Sequence, residues 1–250
     1  MEINKEEILE ELKASSKLQI QQNLLKKRQL RMLVMVLLLF TLLFTVVYST
    51  LENPFQYTLS MIGNRFTYRE WFIIWGIVTG FCLQTSSIAL FKLEGYQDKK
   101  ASRYVIYGAV FLVLTAIIPA IEEKMLFWHR VHMLTAVFYA LFFMIGVGPF
   151  VLWVSKENPR LRKIISIWIY TIVGGSVFAL VFLGMTGIFE VWFIVGLTLF
   201  LMYLSMTLFE EEIVKESVRL LRDEENLNLG IEKIFINLEE KEKTKRKKHK

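Results

Sequence analysis

Two imidazoles three residues apart, His129 and His132, come nearest to chemistry in this 250-residue chain. Positions three apart on a helix share a face. With a carboxylate from Glu122, Glu123 or Glu190 they offer the nitrogen and oxygen ligands that Zn²⁺ takes in a tetrahedral site. Water bound to such an ion is acidified, so the sharp reading is a metal-dependent hydrolase at the outer leaflet of a membrane. The plainer reading is a polar helix start, with Trp128 as an interfacial anchor and both rings bonded to backbone or water. Two histidines specify a metal weakly, so the plainer reading is preferred and neither metal nor cofactor is expected. His132 is the better single candidate, because it lies nearer the apolar run, where an imidazole needs a partner.

A second, amphipathic stretch, Glu52 to Asn64, precedes the second apolar run and carries Asn53, Pro54, Tyr57, Ser60 and Gly63. Proline starts a turn or helix and glycine ends one. The stretch either covers a cavity between helices or tethers two helices with its apolar residues at the interface, and the tether is preferred. Together with Glu122, Glu123, His129 and His132, the residues Asn53, Tyr57 and Ser60 form the outer-face candidate set. Gly76 and Gly80 form a small-xxx-small pair that permits close helix approach, expected within the bundle rather than between copies. Gln84, Thr85, Ser86 and Ser87 offer hydroxyls and an amide to a solute or lipid pathway, although such hydroxyls more often bond to their own helix. No phosphate-binding glycine loop, zinc-ligand cysteine set or Ser/His/Asp order is present.

The elements that must position these residues are apolar helices. Hydrophobic letters make up 54% of the chain and are not scattered: Met32 to Leu51 is twenty uncharged residues in a row. Six spanning segments are expected, at 32–51, 71–91, 104–121, 131–154, 164–184 and 191–209. Each has the roughly 17–25 residues that cross about 30 Å of hydrocarbon. Between Lys163 and Glu210 the one charge is Glu190, which with Gly184 and Gly187 marks a turn between the last two spans. None of the six segments so bounded holds Asp, Glu, Lys or Arg, which counts against an ion-coupled transporter or proton pump. An ordinary water-soluble enzyme and a disordered chain are excluded by the same composition, with 14% aromatics.

Lys and Arg set the orientation. Sixteen lie on one side: Lys17, Lys26, Lys27, Arg28, Arg31, Lys92, Lys99, Lys100, Arg103, Lys156, Arg160, Arg162, Lys163, Lys215, Arg219 and Arg222. Four lie on the other: Arg65, Arg69, Lys124 and Arg130. Both termini are therefore expected in the cytoplasm. No cleavable signal peptide is expected, because residues 1–31 are polar and the first apolar run is long enough to span. Residues 1–31 read as a helix capped by Asn4 and ending in a basic run. Residues 210–250 read as helix, a break at Asn226 to Gly230, a second apolar stripe and a basic tail. The excess of +6 is accounted for by membrane flanks and tail, without nucleic acid. Cys82, the single cysteine, permits no disulfide within the chain.

Asn53-Pro54, Tyr57, Ser60 and Gly63 before the second span, Pro119 closing the third, and His129 and His132 opening the fourth are similar to the pattern of a bacterial six-span membrane family of unknown function. That family is itself distantly similar to the DRAM-like (damage-regulated autophagy modulator) proteins. The resemblance covers about residues 32–209. It implies a helical bundle with an outward polar cap and no established catalytic activity, with the family's proline and histidine mapping to Pro119 and His132. The charged tails depart from the family pattern.

The expected protein is all-α and polytopic: a six-transmembrane-helix bundle in the plasma membrane, with helical cytoplasmic N- and C-terminal extensions. Its expected role is that of a non-catalytic scaffold, sensor or lipid-interacting protein, with the bilayer as environment and a cytoplasmic protein partner reached through residues 1–31 and 210–250. The outer-leaflet metal-dependent hydrolase and a small-solute or lipid transporter are the alternatives.

Overall fold

The computed structural model describes residues 5–121, 123, 125–211, 213–215, 218 and 222. Among them there are helices and no strands. The chain divides into two units, Leu30–Thr207 and a terminal unit of Met1–Gln29 with Leu208–Lys250. Seven helices run in order: α1 Lys5–Ser49, α2 Leu59–Arg65, α3 Arg69–Leu93, α4 Lys99–Ile117, α5 Leu126–Glu157, α6 Pro159–Leu183 and α7 Gly187–Lys215. All but α2 contain a stretch long and apolar enough to cross a membrane. The protein is thus an all-α, six-span, multi-pass membrane protein. Helices are forced, because a backbone in hydrocarbon has no other way to pair its amides. Asn4, Glu122 and the residues beyond Arg222, which include the expected break and tail stripe, lie outside the described residues.

The ends of the helices follow local chemistry. Asp98 caps α4, its Oδ1 accepting from the amides of Lys100 (2.8 Å) and Ala101 (3.3 Å). Asn158 does the same for α6, and Pro159 fills the first helical position, where no N–H is needed. α3 ends in a Schellman turn: Gly95 takes φ +69°, the Tyr96 amide reaches the Phe91 carbonyl at 2.8 Å, and their rings meet edge to face. α4 stops at Ile117, four residues short of the apolar run, because Pro119 forces Ile118 out of the helical region. α7 begins at Gly187, earlier than its apolar run, so Glu190 lies in its first turn and not in the connecting turn. Gly184 carries that turn at φ +75°.

Packing within Leu30–Thr207 is chain-sequential. α1 turns a stripe of Val34, Leu38, Thr41, Thr45 and Tyr48 inward at alternating spacings of three and four, and exposes Leu33, Val36, Phe40, Leu43 and Val47. The stripe meets α3, where Tyr48 stacks on Phe72 and Trp75. α3 packs on α4 through Gly76, whose missing Cβ leaves room for Ala116. α4 packs on α5 through Gly108 against Phe143 and through a hydroxyl pair, Thr115 to Thr135 at 3.0 Å. α6 meets α7 where Trp192 lies over Gly175 and donates to the Thr171 carbonyl at 3.1 Å. Most of the remaining surface of α6 is apolar and exposed, as a lipid-facing helix must be.

Candidate functional site

The candidate residues gather at the end of the bundle that the Lys/Arg bias assigns to the outside. The first outer loop is an ordered cap, not a slack tether. Asn53 opens it: its Oδ1 accepts from the Phe55 amide at 3.0 Å, and its carbonyl accepts from Gln56 and Tyr57. This is an Asx turn with Pro54 in the position that its fixed φ favours. The loop then docks on α7. Gly187 donates its amide to the Tyr57 carbonyl at 2.9 Å, and Ile188 donates to the Pro54 carbonyl at 3.2 Å. Two of the amides that a helix start leaves orphaned are thereby satisfied. A Cβ on Gly187 would stand 2.6 Å from the Tyr57 oxygen, so the approach requires glycine.

From the loop the chain enters α2. Thr58 caps it, its Oγ1 accepting from the Met61 amide at 3.1 Å and lying 3.0 Å from the Ser60 hydroxyl. Leu59 and Ile62 point inward and are buried, while Gly63 sits inside the helix and lets it press against the Phe72 side chain. Leu59 is held from both sides. The Tyr48 hydroxyl donates to its carbonyl at 2.9 Å, and its amide donates to Glu190 Oε2 at 2.7 Å. Glu190 therefore ties α7 to α2 across 131 residues of sequence.

The second outer loop is a separate arrangement. Glu123 pairs with Arg65 at 3.0 Å, with both side chains well exposed. Arg69 bridges the Asn64 side chain and the Ile117 carbonyl at the end of α4. His132 is 3% exposed, and its Nδ1 lies 3.1 Å from the Ile118 carbonyl. That carbonyl belongs to the stretch Pro119 excludes from the helix, so the imidazole serves a group that α4 cannot use. The ring also faces Phe72, 6.5 Å between centroids. His129, half-buried, has no partner for its Nδ1.

Asn53, Tyr57 and Ser60 thus share the cap, Glu123 lies with Arg65 at its far end, and His132 sits behind Phe72 on the α4 side. Among the described residues no three of His, Cys, Asp and Glu stand together as metal ligands. Glu122 is outside the described residues. Gly76 and Gly80 both face α4, toward Ala116 and Ala109. In the interior, Ser87 bonds to the Leu83 carbonyl, whereas the fully buried hydroxyls of Thr79, Ser86 and Ser205 have no partner. The groups that sequence reading did not connect are Tyr48, Thr58 and Glu190. The one usable hint was Glu190 itself, the sole charge in a 46-residue apolar stretch between Lys163 and Glu210. No family model matches this chain, and neither the curated proteins nor the solved structures contain a match to it.

Proposed function

We propose that this is a non-catalytic plasma-membrane scaffold, with both termini in the cytoplasm and a cytoplasmic protein partner docking on residues 1–31 and 210–250. One observation carries the reading: most of the outer polar groups that could do chemistry are spent on holding local structure. Asn53 holds a turn, Thr58 and Ser60 a helix start, Glu190 an amide and His132 a carbonyl. A catalytic set leaves a nucleophile or a metal-binding atom free and convergent with a base; here His129 Nδ1 is free, but among the described residues no three metal-binding side chains stand together with it.

The test is co-purification with crosslinking from cells carrying the full chain or a chain lacking residues 1–25 and 210–250. Partners captured by the full chain and lost on truncation are expected. An identical partner set after truncation overturns the scaffold, and stoichiometric zinc that His132→Ala removes would replace it with the hydrolase. The unpartnered hydroxyls of Thr79, Ser86 and Ser205 favour a second reading, a pathway for a small polar solute or lipid. Solute flux into vesicles that Ser86→Val abolishes would establish it.

A further inference from the structure

We propose that Glu190 is a proton-operated latch: ionised, it clamps the first turn of α2 onto α7 through the Leu59 amide, and protonated, it lets that turn go. A lone carboxylate near the end of a membrane-spanning helix is expensive to keep and marks a function by default. Three features make its charge matter. The bond from the Leu59 amide, at 2.7 Å, is charge-assisted and about twice as strong as its neutral counterpart. Glu190 lies in the first turn of α7, where the helix dipole favours an anion and gains nothing from a neutral acid. Protonation also creates an O–H that needs an acceptor. One turn earlier, just before α7 begins, the Thr186 hydroxyl is buried at 7% exposure and has no partner. Protonation therefore weakens the hold on the Leu59 amide, because the acid keeps an acceptor oxygen but loses its charge, and adds a hydroxyl for which Thr186 is the acceptor we assign.

The surroundings leave the latch to Glu190 alone. The titratable group facing it is the Tyr48 phenol of α1, which is occupied by the Leu59 carbonyl. Arg65, on α2, is occupied by Glu123 at the other end of that helix. Among the described residues no Lys, Arg or His pairs with Glu190. The root of the loop stays fixed in either state, because the Gly187 and Ile188 amides bond to backbone carbonyls that do not titrate. What loosens is thus the first turn of α2, where the Tyr48 hydroxyl's bond to the Leu59 carbonyl is the hold that remains, over the Phe72 side chain and Tyr48 hydroxyl against which Gly63 packs.

The experiment places a nitroxide at position 61 of α2, by Met61→Cys in a Cys82→Ser background of the full chain, in lipid nanodiscs. The spin-label spectrum is titrated from about pH 8 to about pH 3, which spans ordinary protein carboxylates and the raised tail of buried ones. An immobilised line shape that becomes mobile on acidification, in one transition, is expected. Glu190→Gln should be mobile at every pH. Thr186→Val, lacking the acceptor for the acid, should need a lower pH for release. A line shape that does not change with pH in the chain retaining Glu190 overturns the latch, and this arm stands even if a variant fails to fold. A transition that survives in Glu190→Gln overturns it equally.

Discussion

The indole N–H of Trp75 donates to the hydroxyl of Thr45 at 3.1 Å, joining α3 to α1 inside a stack where Tyr48, Phe72 and Trp75 lie nearly parallel. Both side chains are buried, Thr45 completely. Thr45→Val keeps the volume and strands the indole donor. A buried donor without a partner costs about 1–3 kcal/mol, and interhelical bonds in membranes run toward the lower end, so about 1 kcal/mol of destabilisation is expected. Unfolding of the detergent-solubilised protein by graded SDS measures it. Trp75→Phe in the Thr45→Val background should add less than it does alone, and additivity would remove the pairing.

Gly76 gives a prediction that separates two uses of a small residue. A Cβ there meets the Ala116 Cβ of α4 in the same chain. Gly76→Val should therefore lower the stability of the monomer by several kcal/mol, in the range of overpacked cores, and Ala116→Gly should restore part of it. A face reserved for dimerisation would behave otherwise: monomer stability would hold and the oligomeric state would change. Sedimentation in detergent beside the unfolding curve distinguishes them.

How far the residues betray this architecture depends on the range of the interaction. Hydrocarbon dictates the spans, so uncharged runs reveal them, and Asp98, Asn158-Pro159 and Pro119 fix helix ends within a residue or two of themselves. Gly63 looks like a stop but sits inside α2, because its use is contact with Phe72, which local pattern does not show. Glu190 looks like a turn residue because the helix start was read from apolarity alone. The true start depends on carbonyls supplied by Pro54 and Tyr57, more than a hundred residues earlier. The cap's turns are local, but its docking on α7 is built from such distant bonds to backbone atoms, and backbone atoms carry no sequence mark.

His132 and Glu123 should respond very unequally to mutation although both stand in the outer candidate set. His132→Ala leaves the Ile118 carbonyl without its partner and a void beside Phe72, a combined loss of about 2–4 kcal/mol. His132→Asn, which keeps a donor, should recover part of this. Glu123→Gln should cost under about 1 kcal/mol, because its pair with Arg65 is exposed to water and screened. If either histidine bound zinc in function, His132→Asn would abolish metal retention without the graded stability loss. Thermal unfolding with metal analysis on one preparation reads both.

The orientation yields the last prediction. Lys99, Lys100 and Arg103 in the first turns of α4, and Arg160, Arg162 and Lys163 in those of α6, are exposed cations at helix N-termini, where the dipole disfavours positive charge. Stability of the helix does not explain them, since a carboxylate there would serve it better. The proposed orientation does: cations resist translocation and would hold these turns inside while the cation-poor turn between α4 and α5 crosses. In intact cells carrying single cysteines, an impermeant maleimide should label Glu123→Cys and spare Lys100→Cys until the membrane is opened. Replacing Lys99, Lys100 and Arg103 by glutamine should leave the pattern unchanged, because the α5–α6 turn and the flank of α1 still vote the same way. Adding neutralisation of Arg160, Arg162 and Lys163 should produce a mixed population, labelled at both positions. Labelling of Lys100→Cys and Glu123→Cys from the same side in the otherwise native chain would mean that an even number of spans, not the one span of α4, separates them, and the six-span arrangement would fall.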